Sequence, residues 1–297
     1  MFYTACLTRG GLNFPGGDMI QDLPIPQEHL HNFRPGVGGS GLVRQQNQLS
    51  MLERYGLRPS SRVLEIGCGV GWLAYNLAYR LTEEGGYAGL DVSEVVVDWL
   101  NDNYASRLAN YRFDLLDVKN ARYRPSGSHK PEHVRFPHED DQFDIACAFN
   151  VFVYITAQGI TNYLHEVARV LRPGGVGLMT FKAIFDGDLG PREGTREYVP
   201  VRKGVYTRRP EHDGWAMAYD DALIRSMIDR AGLDTCAFEI GEWHRSPSAT
   251  LPHGPDLYVV TPKRHRRSPG RDPRRRIWQR LAPLRTTSST DVADVND

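Results

Sequence analysis

Residues 63 to 72 read VLEIGCGVGW, with glycines at 67, 69 and 71 behind an apolar run that one acid, Glu65, interrupts. A strand that runs into a glycine turn and then a helix brings free backbone N–H groups and a positive dipole end to the top of a sheet. That arrangement is a ligand site, and the side chains around it restrict the ligand. The dinucleotide fingerprint is G-x-G-x-x-G with an acid about 20 residues on. Gly67, Gly69 and Asp91 fit it, but the third fingerprint position is Trp72. An indole there opposes the close helix–strand approach that a third glycine serves. Glu65 beside the loop also repels phosphate, so a nicotinamide dinucleotide is disfavoured and a positively charged ligand is favoured.

S-adenosylmethionine has that character, with a sulfonium, an ammonium, one ribose and no phosphate. Through E-x-G-C-G-x-G at 65–71, LDVS at 90–93 and ARVLRPGG at 168–175, the chain resembles the class I methyltransferase superfamily over residues 40–260. The resemblance implies S-adenosyl-L-methionine as cofactor. It lays the loop of Gly67, Cys68, Gly69 and Gly71 under the methionine, with Glu65 near the amino group. Asp91, followed by Val92, then holds the ribose hydroxyls. Asp117 meets the adenine amino group with Val118 against the ring, and Asn150, beside Phe149, borders the methionine and the transferring methyl.

Methyl transfer from a sulfonium is an in-line displacement with a neutral leaving group, so holding the nucleophile on the S–CH₃ axis supplies much of the catalysis. A hydroxyl acceptor must also lose a proton, and a general base adds roughly 10²–10⁴-fold. Tyr154, His133 and His244 are the candidates carried forward; His129, His138, His212 and Asp213 also lie in segments that could reach the methyl. His165 falls on the polar face of a helix with Asn162, Arg169 and Arg172 and reads as solvated. No metal is expected, because the acids at 139–141 and 220–221 have no supporting ligand at a diagnostic spacing.

The stretch NARYRPSGSHKPEHVRFPHEDDQFD resembles a subgroup of small bacterial methyltransferases that accompany glycan or secondary-metabolite pathways, and EIGEWHRSPS resembles its Gly-x-Trp turn. By that analogy the acceptor is a small molecule or glycan, methylated at a hydroxyl oxygen. Trp, Tyr and His beside Arg suit a lid that stacks on a sugar or aromatic ring. An RNA methyltransferase and a non-catalytic S-adenosylmethionine-binding protein are the alternatives.

The elements that must position these residues alternate along the chain. RVLEIG, GYAGLD, YRFDLLDV, FDIACAFNVF and VGLMTFKA read as strands, separated by WLAYNLAYRL, SEVVVDWLNDNY and ITNYLHEVARVL as helices. After a helix capped by Asp220, TCAFEIGEW and DLYVVT close the sheet. The expectation is an α/β fold, a doubly wound, mostly parallel seven-stranded sheet, spanning residues 42–262. Residues 1–41 read as an irregular arm, 119–142 and 186–218 as substrate-side insertions forming an irregular cap, and 263–297 as a disordered tail.

Formal net charge is zero, yet residues 261–297 hold ten Lys or Arg against four Asp, about +6 in the tail and about −6 in the rest. No DNA partner is expected; the basic tail reads as solubilising, with an anionic surface as its alternative partner. The four cysteines are far apart and read as reduced thiols. With no apolar run of membrane-spanning length and no leader pattern, the expected location is cytoplasmic.

Overall fold

The computed structural model describes residues 23–26, 41–185, 198–212, 214–244 and 254–263. Most of the arm, Asp213 and the whole basic tail beyond Lys263 lie outside these residues. Helix α1 (Gly41–Arg54) leads into β1 (Arg62–Ile66), α2 (Trp72–Ala78), β2 (Gly86–Asp91), α3 (Glu94–Leu100) and β3 (Tyr111–Leu115). Then come β4 (Phe143–Ala148), α4 (Ala157–Val170), β5 (Leu171–Phe181), β6 (Ala183–Ile184), β7 (Val199–Arg202), β8 (Val205–Thr207) and β9 (Met217–Asp220). The chain closes with α5 (Asp221–Arg230), β10 (Leu233–Glu239) and β11 (Asp256–Pro262).

Seven strands form one sheet in the order β10-β11-β5-β4-β1-β2-β3. Strands β1 to β5 run parallel, and β11 is antiparallel to both its neighbours. Both faces are covered, which explains the continuous apolar runs in β1 and β4. Leu64 and Ile66 point into one core layer with Ile160, Leu164 and Val167 of α4. Val63 points into the other with Leu73 and Leu77 of α2 and Val96 of α3. Helix α4 starts where the Thr156 hydroxyl accepts the Gly159 N–H at 3.3 Å. Strand order reverses between β1 and β4, and ligands of such sheets lie in the crevice at that point, beyond the carboxyl ends of the strands.

Two details differ from the sequence expectations. Ser93 and Asp220 stand at the N-cap positions of α3 and α5, but neither side chain makes a capping hydrogen bond. The 186–218 insertion is not irregular in its described part. It contributes β7, β8 and β9 to a four-stranded sheet of order β6-β9-β8-β7. A two-residue turn, Lys203–Gly204 with Gly204 at φ +71°, joins β7 to β8. The earlier insertion is tied down as well: Val118 and His129 bridge, and Asn162 of α4 donates to the carbonyls of Pro131 and Val134 at 3.0 and 2.8 Å.

Candidate active site

The glycine loop starts where β1 ends. The N–H groups of Gly67 and Cys68 both donate to the Leu90 carbonyl, at 2.7 and 3.0 Å, which turns the chain sharply at the crevice. Gly67 has φ +72°, and a Cβ there would stand 2.5 Å from Val151 Cγ2. Gly71 has φ +85°, and its Cβ would stand 2.3 Å from Leu100 Cδ2 on α3. These two positions therefore require glycine on both conformational and steric grounds. Trp72 opens α2 and is buried against the same helix pair.

Asp91 ends β2 and is fixed from two sides. Its Oδ2 accepts the Gly69 N–H at 2.8 Å and its Oδ1 accepts the Ser93 N–H at 2.9 Å. The carboxylate thus clasps the tip of the glycine loop. Val92 packs against the first core layer.

Glu65, inside β1, is buried and accepts the Tyr87 hydroxyl at 2.6 Å. Burial pushes its pKa up to about 8; the charge of Asp91 adds to the rise and the Tyr87 bond opposes it. No cationic side chain is ion-paired with it among the described residues. A buried acid held protonated beside a backbone cradle fits the amino group of S-adenosylmethionine, which favours the ionised form. Cys68 is buried as well, and its thiol is pushed up by burial, which makes it an inert wall of the loop.

Asp117 follows β3. Its Oδ1 accepts Arg124 Nε at 2.8 Å and the Ser128 N–H at 3.2 Å. Hydrogen bonds from Ser128 and Arg124 pull the carboxyl down to about 2. Val118 beside it is buried. Asn150 follows β4 with φ +60°, its N–H held by Thr180 Oγ1 at 2.8 Å and its side chain exposed. An asparagine tolerates that left-handed backbone better than most residues.

The three candidate bases have different surroundings. Tyr154, on the short turn after β4, meets Tyr123 edge-on at 5.2 Å between ring centres. The Arg122 guanidinium lies 5.1, 5.2 and 5.4 Å from the rings of Tyr123, Tyr154 and Trp215. His212 stacks on Trp215 at 4.8 Å. Burial raises the Tyr123 phenol, Tyr154 adds to the rise and Arg122 opposes it; the turn carrying Tyr154 starts at Val151, whose side chain lies against Gly67, so the cluster borders the glycine loop. His244 is buried, with Nε2 2.9 Å from Asp256 Oδ1. His133 is exposed on the 131–133 turn against α4. The structure therefore gathers Tyr154 with Tyr123, Arg122 and Trp215, buries His244 among Asp256, Trp243 and Phe185, and leaves His133 exposed on its turn.

Sequence reading missed Arg122, Tyr123, Lys182, Tyr198 and Arg208. Lys182 follows β5 at the same sheet edge, with Nζ 5.8 Å from the Tyr198 ring and 5.7 Å from the Trp243 ring. Burial lowers its ammonium to about 8; neighbouring Arg208 pushes the same way and Asp256 the other. The only signal that could have found it is position, a polar residue directly beyond a buried strand's carboxyl end. Among the described residues no group of three or more His, Cys, Asp or Glu is placed to hold a metal ion.

A doubly wound sheet of this strand order, a glycine loop at its switch point and an acid clasped at the end of β2 are features this chain shares with the class I S-adenosylmethionine-dependent methyltransferases. Residues 63–175 match the model of the family described as a methyltransferase domain. Over 149 residues the chain is 31% identical to the sterol 24-C-methyltransferase erg6 of Schizosaccharomyces pombe, which covers 50% of this chain and 34% of the yeast protein. Over 96 residues it is 32% identical to a Thermoplasma acidophilum protein named as a cobalt-precorrin-6B C(15)-methyltransferase (decarboxylating), covering 32% of this chain and 46% of that one. The chain thus spans less than half the length of these curated relatives. The CcbJ methyltransferase of Streptomyces caelestis superposes with a TM-score of 0.52 at 15% identity, over 80% of this chain and 96% of that one, a likeness of fold.

Proposed function

We propose that this protein transfers a methyl group from S-adenosylmethionine to a hydroxyl oxygen of a small polar acceptor of sugar or secondary-metabolite type. The observation that carries this reading is that the glycine loop clasped by Asp91 lies against Val151, where the turn bearing Tyr154 and the Arg122–Tyr123–Tyr154–Trp215 cap begins. When bound, the cofactor supplies an electrophilic methyl whose leaving group departs uncharged.

The chain supplies the rest. Glu65 and the loop amides bind the methionine end, Asp91 the ribose, and the cap positions a ring against the methyl and excludes water. We assign proton removal to Tyr154 in its phenolate form, with the Arg122 guanidinium beside its ring: the phenolate takes the acceptor's proton as the hydroxyl oxygen bonds the methyl. A second reading, transfer to carbon, is favoured by the printed names of the two curated relatives, both C-methyltransferases. Among the described residues no helix is long and apolar enough to cross a membrane.

The test is transfer of labelled methyl to a panel of hydroxylated sugars and phenols, with product atoms assigned by mass and magnetic resonance. Label on oxygen supports the proposal. Label on carbon replaces it with the second reading.

A further inference from the structure

The cap sheet collects charge at one end. Lys182 precedes β6, Tyr198 precedes β7, Arg208 follows β8 and Trp215 lies just before β9. Strands β6 and β9 are parallel, and β8 is antiparallel to both β7 and β9. Val199 pairs with Thr207 and Thr207 with Met217, so Tyr198, Arg208 and Trp215 all flank the same edge. The Tyr219 N–H donates to the Lys182 carbonyl at 3.0 Å and brings the lysine to that edge too. Four residues separated by up to 33 positions are thereby gathered beside the carboxyl end of β5.

Among the described residues neither cation of this group, Lys182 or Arg208, has a carboxylate ion-paired to it, and Arg208 instead lies 5.0 Å from the Tyr198 ring. Asp256, the acid whose charge acts on Lys182, is engaged by other donors. Its oxygens accept the Ala183 and Gly241 N–H groups at 3.0 and 2.9 Å and Trp243 Nε1 at 2.7 Å, and they meet His244. The Tyr198 hydroxyl is buried beside the Arg208 guanidinium, and its O–H finds no acceptor among the described residues. Two cations and an unused phenol donor, walled by Tyr198 and Trp243, form a receptor for a negative group on a ring-bearing molecule.

We infer that the acceptor is an anion: Lys182 and Arg208, with the Tyr198 hydroxyl, receive a carboxylate or phosphate borne by the molecule whose ring lies under the Tyr154–Trp215 cap. This rests on the methyltransferase reading above and specifies its substrate class. Lys182 is then a specificity-determining residue, since it reads a group remote from the reacting oxygen.

The experiment is calorimetry on the full chain saturated with S-adenosylhomocysteine, using matched probes: benzoate and phenyl phosphate against benzyl alcohol, and glucuronate and glucose 6-phosphate against glucose. At least one anion is expected to bind about tenfold or more tighter than its neutral partner. Which anion wins distinguishes carboxylate from phosphate. Lys182→Met and Arg208→Gln should each remove the preference while S-adenosylhomocysteine affinity and thermal midpoint hold, and Lys182→Arg should retain it. Equal binding of the neutral partners, survival of the preference in both variants, or no binding of any probe overturns the inference. Failure of S-adenosylhomocysteine itself to bind overturns the methyltransferase reading instead.

Discussion

The backbone amide of Gly69 donates to the Asp91 carboxylate across 2.8 Å, tying the tip of the loop after β1 to the end of β2. One side chain thus holds the loop in shape, and in the proposed function the same carboxylate receives the ribose. Asp91→Ala should weaken S-adenosylmethionine binding by about 2–4 kcal/mol, because charge-assisted hydrogen bonds contribute roughly 1.5–3 kcal/mol each. Asp91→Asn, which keeps one acceptor oxygen, should lose less. Isothermal calorimetry measures both, and equal affinity for all three proteins would contradict the assignment.

Glu65 makes stability and binding depend on pH in opposite senses. Its folded pKa is raised to about 8 from 4.5. Between those values the folded chain holds a proton that the unfolded chain has released. Stabilisation from this group is fully present below about pH 4.5 and is lost as pH rises through about 8. A cationic ligand favours the ionised carboxylate, so S-adenosylmethionine binding near pH 7 should release a proton. The apparent binding enthalpy should then vary with the ionisation enthalpy of the buffer, and that variation should vanish in Glu65→Gln. Buffer-independent heats for the unaltered protein would count against the placement of Glu65.

Gly71 lets α2 approach α3. Gly71→Ala puts a Cβ 2.3 Å from Leu100 Cδ2 at φ +85°. Strain and overpacking of this kind cost about 1–3 kcal/mol. Denaturant unfolding should show that loss, with cofactor affinity falling in parallel because the loop moves. A variant of unchanged midpoint would show that the loop is softer than its contacts indicate.

Asp256 is a buried partner for four groups from two separate segments, Ala183 and the 241–244 turn. Asp256→Ala strands those donors and should destabilise by about 3 kcal/mol or more. His244→Ala should act mainly through the same hub, as a loss of thermal midpoint. Tyr154→Phe should lower kcat by about 10²-fold or more with cofactor affinity unchanged, as expected for a proton acceptor at the reacting hydroxyl. If Tyr154→Phe keeps full turnover while His133→Ala does not, the base lies on the 131–133 turn.

Much of the fold was legible because its determinants are local. The switch between alternating apolar runs and helical patterns set the sheet, and the 67–71 glycines with Asp91 set the ligand. Each depends on spacing within one βαβ unit. The cap was not legible in the same way. In β7, Val199 and Val201 are both exposed, so no inside–outside alternation marked 199–202 as a strand. Lys182, Tyr198 and Arg208 become neighbours through the mixed parallel and antiparallel pairing of the second sheet, and no local pattern encodes that. His133 and His244 are alike in composition, and only tertiary packing separates an exposed turn from a buried ion pair.

The measurement that bears most directly on the central claim is calorimetric titration of the full chain with S-adenosylmethionine and, in parallel, NAD. Saturable one-to-one binding of S-adenosylmethionine, weakened in Asp91→Ala, with no heat from NAD, is the predicted result. Absence of heat with S-adenosylmethionine, or tighter binding of NAD, would contradict it.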